Sequence, residues 1–132
     1  RAHAQVVHDD GAGTRQYPFM YVIVGERRCV LVDTGCANGD YRGYVSATIN
    51  RRRLPYVVVL THVHFDHCGC AHQFADVRMS SADRRFSVER RDVSSLVAAH
   101  GSARLPPFTV TRWLDDGDRI ALDDDDDDGS GG

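Results

Sequence analysis

Lysine is absent from this chain: all 16 basic residues are arginine. So complete a replacement reads as the coding bias of a GC-rich genome rather than as a recognition device. Long apolar runs are missing too, none reaching the ~18 consecutive residues that a membrane-spanning helix needs, and no basic-then-apolar start suggests a signal peptide. No membrane span is expected, and the cytoplasm is the default compartment. The formal net charge of −3 is concentrated in the aspartate run at residues 123–128, and removing those six charges leaves about +3. That balance implies no nucleic-acid partner. The four cysteines, Cys29, Cys36, Cys68 and Cys70, lack the spacing of a disulfide framework. Cys68-Gly69-Cys70 is too short an interval for an ordinary bridge, and Cys29 falls in an apolar strand, where a free thiol behaves as a small apolar group. There is no internal repeat and no Ser-His-Asp arrangement. What remains is ordinary for a soluble globular protein, 42% hydrophobic and 27% charged.

Chemistry enters at Thr61-His62-Val63-His64-Phe65-Asp66-His67, where three imidazoles and a carboxylate fall within seven residues, directly after the apolar run at 56–60. Imidazole nitrogen and carboxylate oxygen suit Zn²⁺ and similar divalent ions. The β-branched run reads as a buried strand that delivers them from its C-terminal end. Leaving that strand as a loop, the segment lets His62 and His64 share a side while Asp66 and His67 turn elsewhere, so it can serve two neighbouring ions. The plainer reading, polar loop residues with Asp66 capping the next helix, suits a single histidine better than three at this density. Two or three ligands do not complete a tetrahedral site, so others must come from elsewhere in the fold. A thiolate of Cys70 with His67 or His72 is the weaker alternative, because Cys-x-Cys alone lacks the paired knuckles of a zinc finger.

The pattern H-x-H-x-D-H after a strand and a threonine resembles the second motif of the metallo-β-lactamase superfamily, matched residue by residue at His62, His64, Asp66 and His67. Upstream, Cys29-Val30-Leu31-Val32-Asp33-Thr34-Gly35 looks like the first motif, an apolar strand ending in Asp-Thr-Gly. Downstream, Trp113-Leu114-Asp115-Asp116-Gly117-Asp118-Arg119-Ile120 looks like the hairpin that the family places shortly before its third motif. The resemblance spans residues 19–122, and the histidine segment is closest to the acyl-coenzyme A thioesterase-like and hydroxyacylglutathione hydrolase-like branches. It implies an α/β fold, a partial αββα metallo-β-lactamase-type sandwich amounting to roughly the N-terminal half. It further implies that His62 and His64 bind one metal and Asp66 with His67 a second, both Zn²⁺ in a complete member. Asp33 would accept hydrogen bonds that hold the imidazoles in one tautomer. Asp33 also reads as a turn residue in Asp33-Thr34-Gly35, and the two roles are compatible. The implied activity is a metal-dependent hydrolase that turns a metal-activated hydroxide on a small-molecule thioester or ester, in preference to a β-lactam. Asp66 would be ligand and catalytic proton partner together.

The departures from the family are equally specific. Its third histidine, in a G-H-x-x-G-like motif, and the later bridging aspartate and final histidine have no counterpart after residue 122. His100 is the one histidine after His72, and Ala98-Ala99-His100-Gly101 lacks the third motif's flanks; a helix C-terminus suits it better. The chain opens on Arg1 and its 132 residues fall short of the repeated sandwich, so both ends are expected to be cut. Residues 1–122 are thus expected to form a partial metallo-β-lactamase-like domain, and 123–132 an acidic, Gly/Ser-rich disordered tail or loop. Such a chain would be marginally stable, with an open sheet edge, and nearly incompetent alone. The competing expectation is a non-catalytic fragment or pseudoenzyme with a residual metal site.

Periodicity places strands at 19–24 and 29–33, joined by the turn Gly25-Glu26-Arg27-Arg28. A helix is expected over 40–52, capped by Asn38 or Asp40, and Pro55 separates it from the strand at 56–60. A short helix is expected over 68–74, a strand over 77–79, a helix over 88–100, and a hairpin pairing 109–114 with 119–122. Arg51-Arg52-Arg53 is expected at a helix C-terminus, where cations suit the dipole, or on a substrate phosphate. Alternating strands and helices argue for α/β layering.

Overall fold

Apolar residues two apart, paired across strands, account for most of the architecture. The computed structural model describes residues 1–8, 17–36, 39–84 and 106–123. Strands β1 (His3–His8), β2 (Phe19–Val24), β3 (Cys29–Val32), β4 (Tyr56–Leu60), β5 (Val77–Ser80) and β6 (Arg112–Leu114) form one mixed sheet in sequence order. β1, β2 and β3 pair antiparallel, and β3 to β6 run parallel. The registers Val22↔Leu31↔Val58↔Val77 and Leu60↔Met79 set these residues on one face, and all of them are buried. Helix α1 (Tyr41–Thr48), the crossover between β3 and β4, covers that face with Tyr41 and Val45. The opposite face carries Val30 and Val57, buried, and Arg78, whose guanidinium is clasped by Asp76 at 2.8 and 3.1 Å. Paired in this way, a buried cation keeps its hydrogen bonds.

β1 has no counterpart in the sequence reading. Its strand is exposed nearly throughout, so it lacks the apolar signal and owes its form to pairing with β2. The β2–β3 turn closes as expected, with Gly25 N–H donating to Arg28 O at 2.9 Å. A Cβ on Gly25 would stand 2.6 Å from Leu122 O and 2.8 Å from Asp123 Oδ1, so only glycine admits the returning chain here.

Of the two expected caps, Asp40 serves α1: its Oδ1 accepts from Gly43 N at 2.8 Å. The helix ends at Thr48, short of the expected 52, because Asn50 takes over. Its amide donates to Leu54 O at 2.9 Å and its Oδ1 accepts from Leu54 N at 3.0 Å, closing a turn that replaces helical bonds. The arginines 51–53 therefore lie beyond the last helical turn. Arg52 instead donates to Glu26 O at 2.8 Å.

Two further expectations are corrected. The helix after the histidines begins at Phe65, not 68: α2 (Phe65–Cys68) is followed by a 3₁₀ turn at Ala71–Gln73. Phe65 and Cys68 are three apart and both buried, a helical spacing hidden inside the ligand motif. The hairpin does not form as a ladder. Its turn exists, with Asp118 N–H on Asp115 O at 3.1 Å, but residues 121–123 run to the β2–β3 turn, where Arg27 N–H donates to Leu122 O at 3.1 Å. The helix expected over 88–100, His100, and the tail beyond Asp123 lie outside the described residues.

Candidate metal centre

Parallel pairing brings the ends of β3 and β4 to one edge of the sheet, and Asp33 and Thr61 are the next residues off each strand. Asp33 N–H still donates to Val59 O at 3.0 Å, but at φ 64° its backbone then turns left-handed. That conformation is uncommon outside glycine and most accessible to Asn and Asp. The turn buries Asp33, whose side chain is 5% exposed. There it accepts Thr61 N–H at 2.8 Å, the Thr61 hydroxyl at 2.8 and 3.0 Å, and His67 Nδ1 at 2.7 Å.

Thr34, also buried, ties the same turn to α2. Its N–H donates to His67 O at 2.7 Å, its hydroxyl to the same oxygen at 3.2 Å, and Cys70 N–H donates to Thr34 Oγ1 at 3.1 Å. Sequence reasoning assigned no role to Thr34 or Thr61. Both stood within the motif patterns, Thr34 in Asp-Thr-Gly and Thr61 just ahead of the histidines, each a short side chain that can donate and accept.

His62 leaves β4 and His64 caps α2 from an extended backbone, and their rings meet edge to face. His62 Nε2 lies 3.1 Å from His64 Nδ1. Asp66 and His67 project from α2, with His67 Nε2 3.5 Å from Asp66 Oδ2. The His62 and His67 ring centroids are 4.2 Å apart, so the two pairs adjoin. Burial, then the neighbouring His67 and His64, lowers the pKa of His62. The neutral imidazole, with a lone pair to give, is the favoured form.

These features suit a divalent ion. Two nitrogens converge, and the carboxylate of Asp33 occupies Nδ1 of His67 and leaves Nε2 facing Asp66. Among the described residues no group of three or more His, Cys, Asp or Glu side chains is arranged to hold an ion; the four side chains form two pairs. Cys70 Sγ lies 3.9 Å from Gly39 O.

The family model of the metallo-beta-lactamase superfamily matches residues 13–127, and the chain belongs to that superfamily. Solved structures agree on the fold. Metallo-beta-lactamase GOB-18 from Elizabethkingia meningoseptica is similar at 26% identity and TM-score 0.58, over 80% of this chain and 41% of that one. A beta-lactamase domain protein from Burkholderia ambifaria is similar at 19% identity and TM-score 0.59, over 91% and 44%. A metallo-beta-lactamase family protein from Thermus thermophilus is similar at 20% identity and TM-score 0.57, over 91% and 48%. The chain thus spans about half the length of the structures it matches. No curated protein matches it. No helix among the described residues is long and apolar enough to cross a membrane.

Proposed function

We propose that this chain carries the first half of a metal-dependent hydrolase centre, in which His62 and His64 hold one Zn²⁺ and Asp66 with His67 its neighbour. The observation that carries this is the approach of His62 Nε2 to His64 Nδ1 at 3.1 Å, beside a His67 whose Nδ1 is already engaged by Asp33 at 2.7 Å. When bound, divalent ions lower the pKa of water and polarise a carbonyl. The chain's own residues do the rest. Asp33 orients His67, His62 is kept neutral, and Asp66 doubles as ligand and proton partner during attack on a carbonyl. A small-molecule thioester or ester is the substrate class, on the likeness of Thr61-His62-Val63-His64-Phe65-Asp66-His67 to the thioesterase-like branches.

A second reading, a non-catalytic chain with a residual metal site, draws on the same geometry. Among the described residues each ion would find two protein ligands, where catalytic zinc has three and a water. Calorimetric zinc titration of the 132-residue chain, with thioester, ester and β-lactam assays, tests both. Weak binding abolished by His62→Ala and His64→Ala, with no turnover, is the expected result for this chain. Binding unaffected by those substitutions would defeat the metal assignment, and turnover at ordinary rates would defeat the second reading.

A further inference from the structure

The hydroxyl of Thr61 touches three atoms and owns one proton. Its oxygen lies 2.8 and 3.0 Å from the two oxygens of Asp33 and 2.9 Å from His62 Nδ1. A carboxylate oxygen can only accept. If the hydroxyl proton went to His62, the Thr61 and Asp33 oxygens would face one another at 2.8 Å with no proton between them. The proton therefore belongs to Asp33, and the hydroxyl oxygen is left to accept from His62. We propose that Thr61 is a positioning residue that relays Asp33 to His62, fixing that imidazole in the form protonated on Nδ1 with a bare Nε2.

Two consequences follow from the geometry. The bare Nε2 of His62 is the atom that faces His64 Nδ1 at 3.1 Å, so in the metal-free chain His64 donates from Nδ1. One buried carboxylate also sets an imidazole in each pair, His67 directly at 2.7 Å and His62 through the threonine. The backbone keeps this relay short and in register, because Thr61 N–H is itself held by Asp33 at 2.8 Å. The relevance to metal binding rests on the function proposed above, but the tautomer does not.

Long-range proton–nitrogen NMR on the metal-free chain reads the tautomer directly. The expected spectrum has His62 protonated on Nδ1 and bare on Nε2; a His62 protonated on Nε2 overturns the proposal without any variant. In Thr61→Val, which keeps shape but loses the hydroxyl, the proton of His62 moves to Nε2 in a substantial fraction of molecules, while Thr61→Ser retains the native pattern. A Thr61→Val chain that folds and keeps the native His62 signals also overturns it. Zinc competition supplies the second reading, with Thr61→Val weakened about 10 to 100-fold, the scale for residues behind metal ligands, and Thr61→Ser restored. If the native chain binds no zinc, the metal assignment fails while the NMR result still decides the role of Thr61.

Discussion

Asp33 and His67 are 34 residues apart in sequence and 2.7 Å apart in space. The contact joins the turn after β3 to the helix that carries two of the four candidate ligands. Asp33→Ala removes the acceptor for His67 Nδ1, Thr61 N–H and the Thr61 hydroxyl at once. These donors are only part-buried, so water recovers much of the about 1–3 kcal/mol that a fully buried unsatisfied group costs. Zinc retention should fall about 10 to 100-fold. Urea unfolding and zinc analysis after dialysis check both, and unchanged metal content would remove Asp33 from the centre.

Asn50 makes two hydrogen bonds to the backbone of Leu54 and is 1% exposed. Asn50→Ala leaves the part-buried N–H and carbonyl of Leu54 without this partner, a loss of roughly 1–3 kcal/mol, since water reaches groups that are not fully buried. Asn50→Asp should restore the bond to Leu54 N–H and lose the other. Denaturant midpoints of the three chains should rank native, Asp, Ala or native, Ala, Asp according to whether the added charge outweighs the recovered bond. A midpoint for Ala equal to native would show that the turn does not depend on this side chain.

Gly25→Ala is expected to detach residues 121–123 from the β2–β3 turn, since the new methyl would meet Leu122 O at 2.6 Å. Overpacking of this kind costs about 1–3 kcal/mol. Amide exchange should show it locally: faster exchange at Arg27 N–H, which donates to Leu122 O at 3.1 Å, with β4 unaffected. Protection at Arg27 equal to native would mean the backbone absorbs the methyl.

Burial pushes the Cys68 thiol up to about 12 and Cys29 up to about 11, from 9.0. The thiolates are thus disfavoured in the fold. A pKa raised on folding gives stability that is whole below about pH 9 and is lost as pH rises through that value toward about 11 to 12. Alkylation of both thiols by iodoacetamide at about pH 8, just under the ordinary thiol pKa, should be slow in the folded chain and fast in urea. Equal rates in the two conditions would contradict the buried placement.

What the sequence made legible follows from where apolar pattern and motif coincide. β4 runs Tyr56–Leu60, as its apolar run requires, and the Asp-Thr-Gly turn falls beside the histidines because parallel strands end together. β1 was invisible, since a strand of exposed side chains carries no alternation. Reading Phe65 only as a spacer between ligands concealed the start of α2. At the candidate centre, residue type and spacing named four candidate side chains, whereas the contacts of Thr34 and Thr61 were not foreseen. A hydroxyl between a carboxylate and an imidazole is defined by three-dimensional contact, which a threonine's place in a motif does not reveal.

The contacts of Asp33 with Thr61 and His67 close loops of 28 and 34 residues, and α1 lies within both. Loop closure of this size is an entropic cost met before any such contact forms. The orientation of His67 is therefore thermodynamically coupled to assembly of the β3–α1–β4 crossover, and an ion that selected the oriented form would draw its affinity partly from that assembly. On the metal assignment proposed above, a change confined to the far side of α1 would appear as a weaker ion affinity, and zinc titration would gauge how completely this unit of the chain has folded.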